Sequence, residues 1–103
     1  MVNFEKHILK AIPKVRKEYL KEWNKEVHND IYVELDSINI VYEDDCSWAD
    51  VTVRWGRDDD SFPFYHSVTF AVYPRHLKYI VGYILGIMSY KEDEGVKYYE
   101  VKD

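Results

Sequence analysis

The sequence predicts an α+β fold: a three-stranded antiparallel sheet flanked by an N-terminal helix and a second, apolar helix, in the order α-β-β-β-α, with a short C-terminal edge strand as an addition. Three observations predict it. Apolar residues recur at steps of three or four from Phe4 to Val27. They alternate at a period of two through residues 31–73. They return to helical spacing from Leu77 to Met88. These two periods are those of a helix with one buried face and of a strand with one buried side.

In the first helix, expected from about Asn3 to Val27, Phe4, Ile8, Ile12, Val15, Tyr19, Trp23 and Val27 make one apolar stripe. Asn3 is suited to cap it, with Glu5 in the first turn against the positive helix end. Pro13 lacks the amide that would bond the Leu9 carbonyl, which predicts a kink or two helices meeting there. Lys6, Lys10, Lys14, Lys17, Lys21 and Lys25 recur on the opposite side. His28-Asn29-Asp30 ends the element.

In the next segment, Ile31, Val33 and Leu35 share one parity and Ile38, Ile40 and Tyr42 the other. The phase change at Asp36-Ser37 predicts a bulge or a break between two short strands. Glu43-Asp44-Asp45-Cys46-Ser47 reads as a hairpin loop. Trp48–Gly56 is the second strand, with Ala49, Val51, Val53 and Trp55 on one face. Arg57–Pro63 is an acidic turn. Phe64–Tyr73 is the third strand, with Phe64, Val68, Phe70 and Val72 on one face and Tyr65, Ser67, Thr69 and Tyr73 on the other. Trp48, Arg54, Tyr65 and Tyr73 belong to the outer side. Such clean alternation predicts one solvent- or partner-facing side.

Pro74 suits the first turn of the second helix. Leu77, Ile80, Val81, Ile84, Leu85, Ile87 and Met88 form its broad apolar stripe, expected to be the central core element. Gly82, Gly86 and Ser89 line another side. A helical glycine costs about 1 kcal/mol relative to alanine, so two of them suggest close approach of another backbone. Lys91-Glu92-Asp93-Glu94-Gly95 is expected to end this helix and Val96–Val101 to add the edge strand.

At 103 residues and 12.4 kDa the chain reads as a single domain, residues 1–103. It is 47% hydrophobic and 32% charged, ample for a core and too apolar for a disordered chain. The lone Cys46 excludes an internal disulfide and suits a reducing, cytoplasmic setting. The N-terminal MVNFEKHILKAIPK has no secretory apolar stretch, and the longest apolar run, Tyr79–Met88, is too short to span a bilayer.

Charge is unevenly divided. The net charge is −5. Residues 1–30 carry a balance of +2, and residues 31–103 one of −7. Segment 30–73 is at −8, with Asp30, Glu34, Asp36, Glu43, Asp44, Asp45, Asp50, Asp58, Asp59 and Asp60 against Arg54 and Arg57. Such a segment repels nucleic acid and attracts basic surfaces. It also serves simple solubility. The lysine side of the first helix has two readings as well: phosphate contact, or an ordinary solvated face supported by pairs such as Lys14 and Glu18.

The αβββα order resembles that of double-stranded-RNA-binding domains, although the start of the second helix here reads Pro74-Arg75-His76-Leu77-Lys78 where those domains are Lys-rich. With its acidic loops, the same order also resembles small phage-encoded inhibitors, certain anti-CRISPR proteins among them. Separately, carboxylates spread at intervals of a few ångström resemble a phosphate backbone to a protein that binds DNA or RNA, an acidic nucleic-acid mimic.

Chemistry of other kinds finds no motif. Counted from Asp58, a calcium loop would need Gly and Glu where Pro63 and Thr69 stand. His28, His66, His76 and Cys46 lack zinc-ligand spacing. Cys46 lies beside Asp44 and Asp45, whose charges disfavour a thiolate nucleophile. There is no phosphate loop, nucleophile elbow or H-E-x-x-H. We therefore expect no catalytic residue, no metal and no cofactor.

The expected function is that of an acidic, non-enzymatic binding protein, an inhibitor occupying a basic, nucleic-acid-binding surface of another protein. It would bind no nucleic acid directly and no membrane. Its expected contact residues are Asp58, Asp59, Asp60, Glu92, Asp93 and Glu94 at one end of the sheet, near Asp30, with Asp44 and Asp45 at the other and Tyr65 and Tyr73 as aromatic anchors. A self-associating assembly protein or homodimer is the alternative, and a small enzyme the second.

Overall fold

The computed structural model describes residues 2–22, 31–57 and 64–102, with side chains at 2–21, 31–57 and 65–92. It has the αβββα order. Helix α1 spans Phe4–Glu22, strands β1, β2 and β3 span Ile31–Glu43, Cys46–Arg57 and Phe64–Val72, a 3-10 turn spans Pro74–Tyr79, and helix α2 spans Ile80–Lys102. The sheet is antiparallel with β2 in the middle.

Asn3 begins α1 as its chemistry requires: the Lys6 amide donates to Asn3 Oδ1 at 3.0 Å. Phe4, Ile8, Ala11, Val15 and Tyr19 are buried on one side. Pro13 does not divide the element, which runs unbroken from Phe4 to Glu22. Pro13 lies on the exposed side, where the Leu9 carbonyl that loses its amide partner can turn to water. The expected continuation through Trp23 and Val27, with Lys25, His28 and Asp30, lies outside the described residues.

The phase change in β1 is a bulge. Leu35 pairs with Val53 and Ser37 with Thr52, leaving Asp36 as the extra residue. The bulge keeps Ile31, Val33, Leu35, Ile38 and Ile40 on one face of a single strand. Asp44 and Asp45 alone make the hairpin turn, shorter than the five-residue loop expected. Asp44 takes the left-handed region at φ 39°, which a short polar side chain tolerates.

Both helices pack on the same sheet face. The core joins the α1 stripe to Ile31, Val33, Ala49, Val51, Val53, Trp55 and Val72, and to Ile80, Ile84 and Met88 of α2. Burying an aliphatic side chain of this kind contributes about 1.5–3 kcal/mol. The centre of the core is β2 rather than α2, since Ala49, Val51, Val53 and Trp55 are each 0% exposed. Leu77, Val81 and Leu85 are only partly buried against it.

Two expectations at the C-terminal end are corrected. Pro74 opens a 3-10 turn rather than the α-helix itself, which starts at Ile80. Gly95 does not end α2, and Val96–Val101 form no edge strand: the helix runs on to Lys102. One glycine costs a helix only about 1 kcal/mol relative to alanine, and here it does not break the element. Glu92, hydrogen-bonded to both α1 and β2, also directs the chain along the helix axis rather than back to a sheet edge.

Candidate interaction face

Among the described residues one side of the sheet is uncovered, and it is built from alternate residues of the three strands. Pairing defines its rows: Tyr32–Gly56–Tyr65, Glu34–Arg54–Ser67, Ser37–Thr52–Thr69, Asn39–Asp50–Ala71 and Val41–Trp48. Neither helix lies on this side, because both are committed to the face carrying Val51 and Trp55.

Polar contacts order the face. Arg54 donates to Glu34 at 2.8 Å. The hydrogen bond and charge of Glu34 hold the guanidinium above its usual pKa, and Asp36 and Tyr32 add to this. Thr52 and Thr69 share a hydrogen bond of 2.8 Å across β2 and β3. Trp48 and Tyr73 touch with ring centroids 5.7 Å apart, and the Arg75 guanidinium sits 4.7 Å above the Tyr73 ring.

The carboxylates separate into two kinds. Asp50 lies on the open side, with Glu43, Asp44 and Asp45 at the hairpin tip, and none of these is ion-paired among the described residues. Glu34 has its cation in Arg54. Of the lysine stripe, Lys6, Lys10, Lys14, Lys17 and Lys21 are exposed on α1. Glu18 pairs with Lys21 at 3.2 Å, rather than with Lys14.

The expected contact residues therefore fall in several places. Asp44 and Asp45 are exposed at the hairpin tip. Tyr65 is 74% exposed on the open side. Tyr73 is half-buried at the end of β3, held between Trp48 and His76. Glu92 does reach the opposite end of the sheet, but its Oε1 faces inward and accepts from Tyr19 and Trp55, both at 2.8 Å. Asp93 and Glu94 lie on the α2 backbone, and their side chains are outside the described residues. So are Asp58, Asp59 and Asp60.

A second polar cluster was not foreseen. His76 stacks on Tyr83 with centroids 3.9 Å apart and planes 14° from parallel. Its Nδ1 accepts from the Tyr73 amide at 3.0 Å, while the His76 amide donates to the Tyr73 carbonyl at 2.9 Å. Tyr83 in turn donates to the Ala71 carbonyl at 2.7 Å. Burial, and next the charge of Arg75, lower the His76 pKa below 6.5, and burial raises that of Tyr83. This cluster ties the 3-10 turn and α2 to the end of β3. The signal for it was Tyr73, His76, Tyr79 and Tyr83 at helical steps around Pro74.

Two clefts lie among the described residues. One of about 330 Å³ lies between the α1 start and β1, with Asn3, Glu5 and Tyr42 among its lining residues. Another of about 180 Å³ lies beside His7, Lys10 and Lys14. Cys46 is exposed at the start of β2. Among the described residues no group of three His, Cys, Asp or Glu side chains is placed to hold a metal ion, and no helix is long and apolar enough to cross a membrane. Comparison with models of protein families, with curated proteins and with solved structures finds no match for the chain.

Proposed function

We propose that the chain is a non-enzymatic binding protein that docks on a basic, nucleic-acid-binding surface of another protein and blocks it. The observation that carries this reading is the coincidence, on and beside one open sheet face, of Glu43, Asp44, Asp45 and Asp50 without cation partners among the described residues. The aromatic groups Tyr32, Trp48 and Tyr65 stand among them on the face. Unpaired carboxylates steer a basic partner toward the face, and aromatic side chains with a polar tip supply contact area once it is there. Carboxylates at intervals also offer such a partner what a phosphate backbone offers it.

The test is affinity capture from native cell extract, with and without nuclease, using the wild-type chain and two charge reversals as baits. One bait carries Asp44→Lys, Asp45→Lys and Asp50→Lys; the other carries Asp58→Lys, Asp59→Lys and Asp60→Lys. The expected result is a nucleic-acid-binding protein retained in the presence of nuclease, whose affinity falls at least about tenfold with the first bait and declines with salt. Retention unchanged by both reversals, or recovery of nucleic acid in place of a protein, would overturn the reading.

A further inference from the structure

Among the described residues the outer edge of β3 is the least protected part of the sheet. Its orientation follows from two contacts. The Tyr73 amide and carbonyl are both turned to His76, and the Ala71 carbonyl is turned to Tyr83. Alternate residues of an antiparallel edge strand direct both backbone groups the same way, either to the neighbouring strand or away from it. Tyr65, Ser67 and Thr69 share parity with Ala71 and Tyr73, so their amides and carbonyls point away from β2. The 3-10 turn and α2 cover the edge at 71–73. Among the described residues no backbone hydrogen bond reaches the outward amides and carbonyls of Tyr65, Ser67 and Thr69.

Exposed edges are ordinarily guarded by charge, proline or a bulge. The β3 segment FYHSVTFAV contains no Asp, Glu, Lys, Arg or Pro, and it pairs with β2 without a bulge from Phe64 to Val72. β1, the other edge, has both the charge and the bulge that β3 lacks. It carries Glu34, Asp36 and Glu43, it is bulged at Asp36, and the Ile31 carbonyl is capped by Arg16 Nε at 2.9 Å.

We infer that β3 pairs with β3 of a second copy of this chain, antiparallel and about a twofold axis near Ser67, making one continuous six-stranded sheet. Charge selects this occupant. A strand without formal charge meets itself without like-charge repulsion, and the pairing leaves the acidic β1 strands at the two far edges. Packing agrees with it. Val68 and Phe70 are only partly buried on the helix-bearing face, and in the register about Ser67 a second copy sets His66 opposite Val68 and Phe64 opposite Phe70. In this register Ser67 faces Ser67, and Tyr65 faces Thr69, each such pair exchanging both backbone hydrogen bonds. The open outer face is not consumed; it becomes continuous across the two copies.

The test is sedimentation velocity over a concentration series, with far-ultraviolet circular dichroism to confirm that each variant is folded. The wild-type chain is expected to double its mass with concentration. Ser67→Lys and Ser67→Glu each place like charges opposite one another on the axis, and each alone is expected to weaken the dimer about fivefold or more. An equal mixture of the two variants is expected to restore it, because the axis then joins Lys to Glu. Ser67→Pro, which removes only an outward amide, is expected to abolish pairing. A wild-type chain that stays monomeric at its highest soluble concentration would overturn the inference. So would a dimer indifferent to all three substitutions, or one weakened by either charge but not restored by mixing.

Discussion

Tyr19 and Trp55, from α1 and β2, donate to the same atom, Glu92 Oε1, each at 2.8 Å. Both donors belong to residues almost wholly removed from solvent, Tyr19 at 3% and Trp55 at 0% exposure. One carboxylate thus joins α1, the middle strand and α2, and His66 lies stacked on the Trp55 ring at 5.2 Å. Glu92→Ala leaves two donors without their acceptor, and is expected to lower stability by about 2–3 kcal/mol. Glu92→Gln keeps an acceptor oxygen at the same reach and is expected to lose about half as much. Urea denaturation followed by tryptophan fluorescence measures both, and equal losses in the two variants would contradict the shared-acceptor account.

The pH dependence of stability follows from His76. Its Nδ1 accepts the Tyr73 amide proton, so the folded imidazole is neutral, with its proton on Nε2. Burial and Arg75 lower its pKa in the folded chain, whereas the unfolded chain returns it to about 6.5. Between these two values the unfolded state binds more protons. The contribution of His76 is therefore complete above pH ~6.5 and declines as pH falls through the folded pKa. Thermal unfolding from about pH 7.5 to 5 is expected to show a fall in Tm. His76→Gln is expected to make that fall shallower, since glutamine can accept the same amide but does not titrate in this range. An identical pH profile in the variant would assign the fall to other groups.

Much of this arrangement was legible in the residue pattern, and the failures have physical causes. The α1 stripe, the three strands and the bulge were readable because each rests on a local period, and the break of parity at Asp36-Ser37 has one structural meaning in a half-buried strand. The end of α2 was misread because Lys91-Glu92-Asp93-Glu94-Gly95 resembles a solvated terminus. Glu92 follows Ile80, Ile84 and Met88 at steps of four, so it continues the buried stripe. A carboxylate there needs donors, and Tyr19 and Trp55 are brought to it only by tertiary packing. The expected acidic cluster at that end of the sheet rested on the element order, which brings turn 57–63, Asp30 and the end of the second helix to one end. Of it, Glu92 is engaged inside the molecule, while the exposed carboxylates that are described gather around β1 and the hairpin tip.

Gly82 and Gly86 supply the last prediction. Their one-turn spacing on α2 suggested a neighbouring backbone drawn close, and the structure shows the reverse within the chain. Both are exposed, and a Cβ added at either meets nothing within 4 Å. Neither has positive φ, so alanine is compatible with the backbone at both positions. Alanine restricts the unfolded chain and suits a helix better, and the expected gain is about 0.4–1 kcal/mol for each substitution. The two sites share no partner side chain, so their effects should add within a few tenths of a kcal/mol. Chemical denaturation of Gly82→Ala, Gly86→Ala and the double variant measures this. If β3 is the self-pairing element, the double variant keeps the wild-type oligomeric state. A net loss of stability, or of the dimer, would instead mark this helix face as one that a second backbone approaches.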